Sequence, residues 1–265
     1  MIQETLTLPS QGYPYGDKLK DGIVCVRPIT TKAYKDFLIS ASEDGVINLI
    51  DSCLVNCPIK AEEFVFQDEL AIYIKIRSMS LGNIVPLSAT CPSCKVTRVV
   101  DWDLMGMECT YLCADKYPFD IILPESNQSI SVLLPTTKLQ RLARSEARKR
   151  ASRFNKSEDE FLSSFLSAVS IVVPSIADLT EKADWYNNLP LKDALYIDQV
   201  SDKVRDFGLT VNKEVKCSCG ETFLVPLTIN TDFFRPSVGD FDGVSTTKGT
   251  LATGPKGSAI SESEV

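Results

Sequence analysis

Two pairs of closely spaced cysteines constrain the fold of this chain more than any other feature. Cys91 and Cys94 have two residues between them, and Cys217 and Cys219 have one. Each pair stands between two runs rich in β-branched residues, which predicts a β-hairpin with cysteines at its turn. If the two pairs meet in space, they join the ends of an insertion of about 120 residues, and closing so long a loop restricts the unfolded chain.

Cysteine thiolates presented by two such turns are typical ligands of a structural zinc ion. The N-terminal residues lack the basic and apolar stretches of a secretory signal. We therefore expect a reducing compartment, where paired cysteines more often bind metal than form disulfides. The predicted site is one zinc ion bound by Cys91, Cys94, Cys217 and Cys219, although the single residue within the second pair departs from zinc-ribbon spacing. The alternative is four reduced, buried cysteines at hairpin turns.

A zinc ion held by four thiolates would be structural, because no coordination position remains open for water or substrate. Three residues separate Cys53 from Cys57 and Cys109 from Cys113. If those segments are helical, each pair lies on one helix face, and simple core cysteines are the favoured interpretation.

The chain contains no histidine, which excludes imidazole ligands and nucleophiles activated by a histidine base. It also has no glycine-rich phosphate loop and no recognisable nucleophile motif, so we expect neither enzymatic activity nor a small-molecule substrate. The 35 acidic residues exceed the 28 basic ones, for a formal charge of −7. That excess disfavours binding to nucleic acid or to anionic lipid.

Hydrophobic spacing predicts a mixture of helices and strands. A loop leads to a strand at residues 22–30, and two short helices follow, capped by Thr30 or Thr31 and by Ser42. Residues 66–82 alternate like a strand but also form a helical stripe; their acidic start and final glycine favour a helix. The next predicted elements are a hairpin at 119–135 that turns near Asn127, helices that begin near 137 and 157, and a helix at 191–208 that ends on Gly208.

The most apolar run, residues 161–177, is a poor candidate for a membrane span. It contains five serines and Pro174, and so predicts a buried helix followed by a break.

Residues 138–156 form a strongly basic helix in an otherwise acidic chain. This segment holds eight lysines or arginines and one glutamate, which leaves 20 basic and 34 acidic residues elsewhere. The candidate partner-binding residues are Arg141, Arg144, Arg148, Lys149 and Arg150. The alternative is a solvated face neutralised by the acidic surface of the same chain.

These elements together predict an α+β protein. Residues 1–82 are an N-terminal region of strand and helices. Residues 83–236 are a cysteine-knuckle module of β-hairpins, similar to a zinc ribbon, with a helical insertion at about 136–208. Residues 237–265 are rich in glycine, serine and threonine, and predict a disordered tail.

The serial order of several segments resembles the T-even bacteriophage baseplate hub and hub-assembly protein family. These segments are LPSQGYPYG, GIVCVRPITT, FQDELAIYIKIRSMSLG, the CPSC hairpin running into VVDWDL, FDIILPESNQSISVLLPTT and KCSCGETFLVPLTINTDFFRP. The resemblance covers most of residues 5–236. The chain departs from the family at Lys95, where a glycine is usual, in the spacing of Cys217 and Cys219, and in its long tail.

The resemblance implies a non-enzymatic protein of a contractile phage tail, assembled in the host cytoplasm and located in the tail baseplate of the virion. The protein would be either a structural subunit of the central hub or a chaperone for hub assembly. Its partners would be other baseplate, hub and tail proteins. The second functional hypothesis, from the residues alone, is a zinc-ribbon nucleic-acid-binding module that uses the basic helix 138–156.

Overall fold

Short antiparallel sheets and helices alternate along the chain in a computed structural model that describes residues 2–40, 42–114, 116–227 and 231–234. The α+β class is confirmed. The helices within these ranges are α1 (Thr31–Ser40), α2 (Glu43–Cys53), α3 (Phe66–Leu81), α4 (Thr137–Phe154), α5 (Asp159–Ala168), α6 (Leu179–Asn187) and α7 (Leu191–Val204). The strands are β1 (Glu4–Thr7), β2 (Ile23–Val26), β3 (Ile84–Thr90), β4 (Thr97–Asp103), β5 (Cys109–Thr110), β6 (Phe119–Ile122), β7 (Ser129–Val132), β8 (Ile171–Val172), β9 (Gly208–Leu209), β10 (Asn212–Lys216) and β11 (Thr222–Pro226).

Helix α3 lies at the centre of the largest hydrophobic core. Leu70, Ile72, Ile74 and Ile76 are all buried, although they cover more than one face of the helix. This burial explains the ambiguous pattern, because a helix packed on most sides has no simple amphipathic period. The predicted helix at 66–82 is confirmed.

Helix α2 and strand β2 of the N-terminal region contact α3. Strands β1 and β2 pair antiparallel, from Glu4 opposite Val26 to Thr7 opposite Ile23. The Ser42 side chain accepts a hydrogen bond from the Gly45 amide and caps α2, as predicted.

Two antiparallel hairpins carry the cysteines at their turns, as the sequence predicts. Strand β3 pairs with β4 up to Thr90 opposite Thr97, and β10 pairs with β11 up to Lys216 opposite Thr222. The base of the first hairpin enters the main core through Val85 and Trp102. Near the turns, Ala89, Val100 and Val225 form a small buried cluster between the hairpins.

The insertion between the hairpins contains two further small cores. Strands β6, β7 and β8 form one sheet, and helices α4, α5 and α6 pack through side chains such as Ala143, Ala147 and Phe165. The predicted hairpin at 119–135 and the basic helix are confirmed, and the Thr136 side chain caps α4 by accepting from the Leu139 amide. Strand β8 and helix α6 were not predicted.

The last helix of the insertion ends earlier than predicted. Helix α7 stops at Val204, and Gly208 instead begins β9, opposite Thr110 of β5. The positive φ of Gly208 and its close approach to Gln67 require glycine there, so this residue marks a tight backbone contact and not a helix end.

The described part of the chain has no helix long and apolar enough to cross a membrane. Residues 161–177 begin inside α5 and pass into β8, so the predicted buried helix ends at Ala168. The boundaries predicted at 82/83 and 236/237 stay predictions. The predicted tail, 237–265, lies outside the described residues.

Candidate metal centre

The two cysteine turns meet, and their four sulfur atoms form one compact group. All four sulfurs of Cys91, Cys94, Cys217 and Cys219 lie within 4.8 Å of one another. Two sulfur–sulfur distances across the hairpins are 3.7 Å, from Cys91 to Cys219, and 3.6 Å, from Cys94 to Cys217.

These distances fit a tetrahedral zinc ion better than a pair of disulfides. A tetrahedron with zinc–sulfur bonds of about 2.3 Å has sulfur–sulfur edges of about 3.8 Å. A disulfide needs a separation of about 2.05 Å. The donor set, four sulfurs from two separate turns, is therefore compatible with zinc.

Two backbone hydrogen bonds close the first turn, which carries Cys91 and Cys94. The Cys91 amide donates to the Val96 carbonyl at 3.0 Å, and the Lys95 amide donates to the Cys91 carbonyl at 3.1 Å. Lys95 has a φ of 60°, the left-handed conformation that glycine adopts most easily. A lysine therefore takes the backbone geometry usually supplied by glycine, at a cost of about 1–2 kcal/mol.

The second turn is one residue shorter and still aims both sulfurs at the same point. The Gly220 amide donates to the Cys217 carbonyl at 3.0 Å, and the Cys217 amide donates to the Glu221 carbonyl at 2.7 Å. Gly220 has a φ of 94°, which allows this tight reversal. The unusual spacing within the second pair is thus compatible with a four-sulfur site.

Electrostatics distinguish the two thiols of the second turn. The backbone amide of Cys219, with the neighbouring thiols, lowers the pKa of Cys217 to about 6, against the opposing effect of desolvation. The pKa of Cys219 is raised to about 11: the Glu221 amide lowers it, but the hydrogen bond to the Cys217 sulfur and desolvation outweigh that effect. Cys217 is therefore the readier of the two to become a thiolate, the form that binds metal.

Arg98 of β4 reaches from the first hairpin to the second turn. Its Nη2 donates to the Cys217 sulfur at 3.3 Å and to the Ser218 hydroxyl at 3.1 Å. Sequence reasoning missed this residue. The one available signal is that Arg98, Val100 and Trp102 alternate with exposed residues on β4 and so share its inward face.

The other cysteine pairs do not lie in helices as pairs. Cys53 is the last residue of α2 and is buried, whereas Cys57 follows the helix; Cys109 belongs to β5, and Cys113 is exposed. Burial raises the pKa of the Cys53, Cys57 and Cys109 thiols, which makes them less reactive. Within the described ranges, the four-sulfur group is the only cluster of three or more potential metal ligands.

The candidate partner-binding residues of α4 all face acidic side chains of the same chain. Arg141 pairs with Asp44, and Arg144 approaches Glu43 at 4.0 Å. The other pairs are Arg148 with Glu158 at 3.1 Å, Lys149 with Glu146 at 2.7 Å, and Arg150 with Asp184 at 2.6 Å. The binding role of these five residues stays a prediction, and the acidic surface of the chain offsets much of their charge.

A family model described as T4 bacteriophage base plate protein matches residues 3–235 of the chain. Comparison with curated proteins finds no match, and comparison with solved structures finds none either.

Proposed function

Because the chain belongs to the T4 bacteriophage base plate protein family, we propose that it acts at the central hub of the baseplate, as a hub subunit or as a factor that assembles the hub. The observation that carries this proposal is the family match over residues 3–235, which supports a structural role in the phage baseplate. The order of sequence segments resembling hub and hub-assembly proteins narrows that role to the hub.

The proposed role is non-enzymatic and depends on contacts with other phage tail proteins. A position in the virion tail follows from the family, and other baseplate and hub proteins are the expected partners. The four-sulfur cluster supports a structural interpretation of the site, because four protein ligands fill a tetrahedral coordination sphere.

We further propose that Cys91, Cys94, Cys217 and Cys219 hold one zinc ion. A bound zinc ion supplies a cross-link between two turns that are distant in sequence. The chain itself brings the sulfurs together, through the hydrogen-bonded turns and through the small cluster of Ala89, Val100 and Val225 beneath them. The site would then hold the two hairpins at a constant orientation for the neighbouring subunits.

The nucleic-acid-binding alternative has less support. Arg141, Arg148 and Arg150 are paired with carboxylates of the same chain, whereas a phosphate-binding helix needs uncompensated positive charge.

Quantitative mass spectrometry of purified infectious particles tests the hub proposal. A small integer number of copies per particle identifies a built-in subunit. Absence from particles, with the protein present in infected-cell lysate, identifies an assembly factor. Presence in uninfected cells contradicts a phage role.

Elemental analysis tests the zinc proposal separately. Protein purified without chelator should contain one equivalent of zinc per chain. A zinc content below about a tenth of an equivalent per chain refutes the proposal, because a structural site should bind zinc far more tightly than the buffer does.

A further inference from the structure

Arg98 is a cation in direct contact with the cysteine cluster. Its Nη2 contacts the sulfur of Cys217 at 3.3 Å, a distance that suits a charge-assisted hydrogen bond to sulfur. The same nitrogen contacts Ser218 at 3.1 Å, so the guanidinium touches two neighbouring residues of the second turn.

The surroundings of Arg98 direct its charge toward the sulfurs. None of the ion pairs among the described residues involves Arg98, so no carboxylate of that part of the chain lies within 4.0 Å of it. Its Nε is buried and has no hydrogen-bond partner in the same part of the chain. Placing a charged group there without a carboxylate costs free energy unless another negative group compensates.

A zinc-loaded cluster would be that negative group. Four thiolates around one divalent ion carry a net charge of −2, so the loaded centre would be an anion between the two hairpins. A cation in contact with one sulfur stabilises the deprotonated, metal-bound form of the cluster. Ala89 is the residue opposite Arg98 in the β-ladder, so the two side chains share the inward face of the first hairpin.

We propose that Arg98 is the outer-sphere cation of the zinc centre, where it positions the Cys217 thiolate and offsets part of the negative charge of the four sulfurs. The inference rests on the proposed zinc site. Arg98 belongs to the first hairpin, and it would affect zinc affinity through Cys217 of the second hairpin. Arg98 is a positioning residue, because it acts through Cys217 and does not itself bind the metal.

Zinc affinity of the full chain and of four variants tests this role. Arg98→Gln keeps a hydrogen-bond donor without charge, and Arg98→Lys keeps the charge with a different donor geometry. Lys216→Ala is the matched control, because it removes an exposed positive charge next to Cys217, whereas the cationic donor to the sulfurs among the described residues is Arg98. Ser218→Ala removes the second contact of Arg98 but leaves the first.

Competition with a chromophoric chelator should show zinc bound about 10–100-fold more weakly by Arg98→Gln, the usual effect of losing an outer-sphere partner. Arg98→Lys should recover about half of that loss on a logarithmic scale, because lysine keeps the charge but not the donor geometry, whereas Lys216→Ala and Ser218→Ala should change Kd by less than about threefold. Cobalt(II) loading gives an independent readout, because its thiolate absorption bands should shift in Arg98→Gln and stay unchanged in Lys216→Ala.

Three results would overturn the inference. One is wild-type affinity and an unshifted cobalt spectrum in Arg98→Gln. Another is an equal loss in Lys216→Ala, which would indicate general electrostatics. The third is failure of the wild-type chain to bind zinc or cobalt at all, which removes the zinc proposal and the role of Arg98 together. If Arg98→Gln does not fold, Arg98→Lys alone decides: its cobalt spectrum must then differ from that of the wild type.

Discussion

The N-terminal core and the turns of the cysteine hairpins contain very different amounts of buried apolar surface. The main core cluster of the described residues holds 22 buried side chains, whereas the cluster beneath the sulfurs holds three, Ala89, Val100 and Val225. A fully buried aliphatic side chain contributes about 1.5–3 kcal/mol, and an isolated two-stranded hairpin is at best marginally stable in water. The turns of the two hairpins therefore have far less hydrophobic stabilisation than the N-terminal core.

This difference assigns a physical role to the sulfur cluster. It lies at the opposite end of the hairpins from the main core, which receives Val85 and Trp102 from the base of the first hairpin and Leu227 from the base of the second. A metal bound there would replace the hydrophobic core that the turns lack. We therefore expect the hairpin turns to be sensitive to loss of metal, and the N-terminal core to be sensitive to loss of buried side chains.

The largest effect should follow from removing one sulfur ligand. Cys91→Ser should lower the free energy of unfolding of the hairpin turns by about 4 kcal/mol or more, because a ligand present at 1,000 times its Kd contributes that much. Urea unfolding with and without chelator measures the loss, and hydrogen exchange should locate it in β3, β4, β10 and β11. Cys113→Ser, at an exposed cysteine outside the cluster, is the control. Equal losses in the two variants would contradict the comparison.

A cavity in the main core should be nearly as costly but independent of metal. Ile72→Ala in α3 removes a fully buried side chain and should destabilise the protein by about 3 kcal/mol. Its zinc content should equal that of the wild type, and the size of the loss should be the same in zinc and in chelator. A change in metal content would show that the two regions are coupled.

A smaller effect is expected beneath the sulfurs. Val225→Ala removes two methyl groups from the small cluster and should cost about 1.5 kcal/mol in the presence of zinc. In chelator the cost should fall toward zero, since the turns are then already disordered. An undiminished loss in chelator would mean that the hairpins stay folded without metal, and would contradict the role assigned to the sulfurs.

Charge reversal on α4 should have the smallest effect. Arg144 and Arg148 are 51% and 72% exposed, and exposed ion pairs contribute about 0–1 kcal/mol. The double variant Arg144→Glu/Arg148→Glu should therefore lose less than about 1 kcal/mol in urea unfolding. The wild-type protein should show no salt-sensitive binding to DNA or RNA; binding that the double variant abolishes would revive the nucleic-acid hypothesis.

Features specified by residues close together in the sequence were predicted correctly. The cysteine hairpins were predicted because β-rich arms and turn residues lie within about 20 residues of each other in each case, and antiparallel pairing across a short turn needs little else. The cap of α2, at Ser42, was equally local, since a hydroxyl reaches an amide three residues along the chain.

Non-local pairings were missed for the opposite reason. Strand β8 has only two residues, and it becomes a strand because β7, some 40 residues earlier, presents a free edge. Gly208 ended no helix; its backbone pairs with Thr110 and passes close to Gln67, and neither contact leaves a pattern in the local sequence. Arg98 was overlooked because its partners, Cys217 and Ser218, lie about 120 residues away.

The amino-acid sequence alone determined the hairpins, the basic helix, the four cysteines of the candidate site and the resemblance to a phage baseplate family. These features depend on side-chain type and short spacing, which the order of residues states directly. Tertiary structure decided that the four sulfurs lie within 4.8 Å of one another, that Arg98 faces them, and that Arg141, Arg148 and Arg150 of α4 are paired with acids of the same chain. Those outcomes depend on distances between segments far apart along the chain, and such distances are set by how the cores pack.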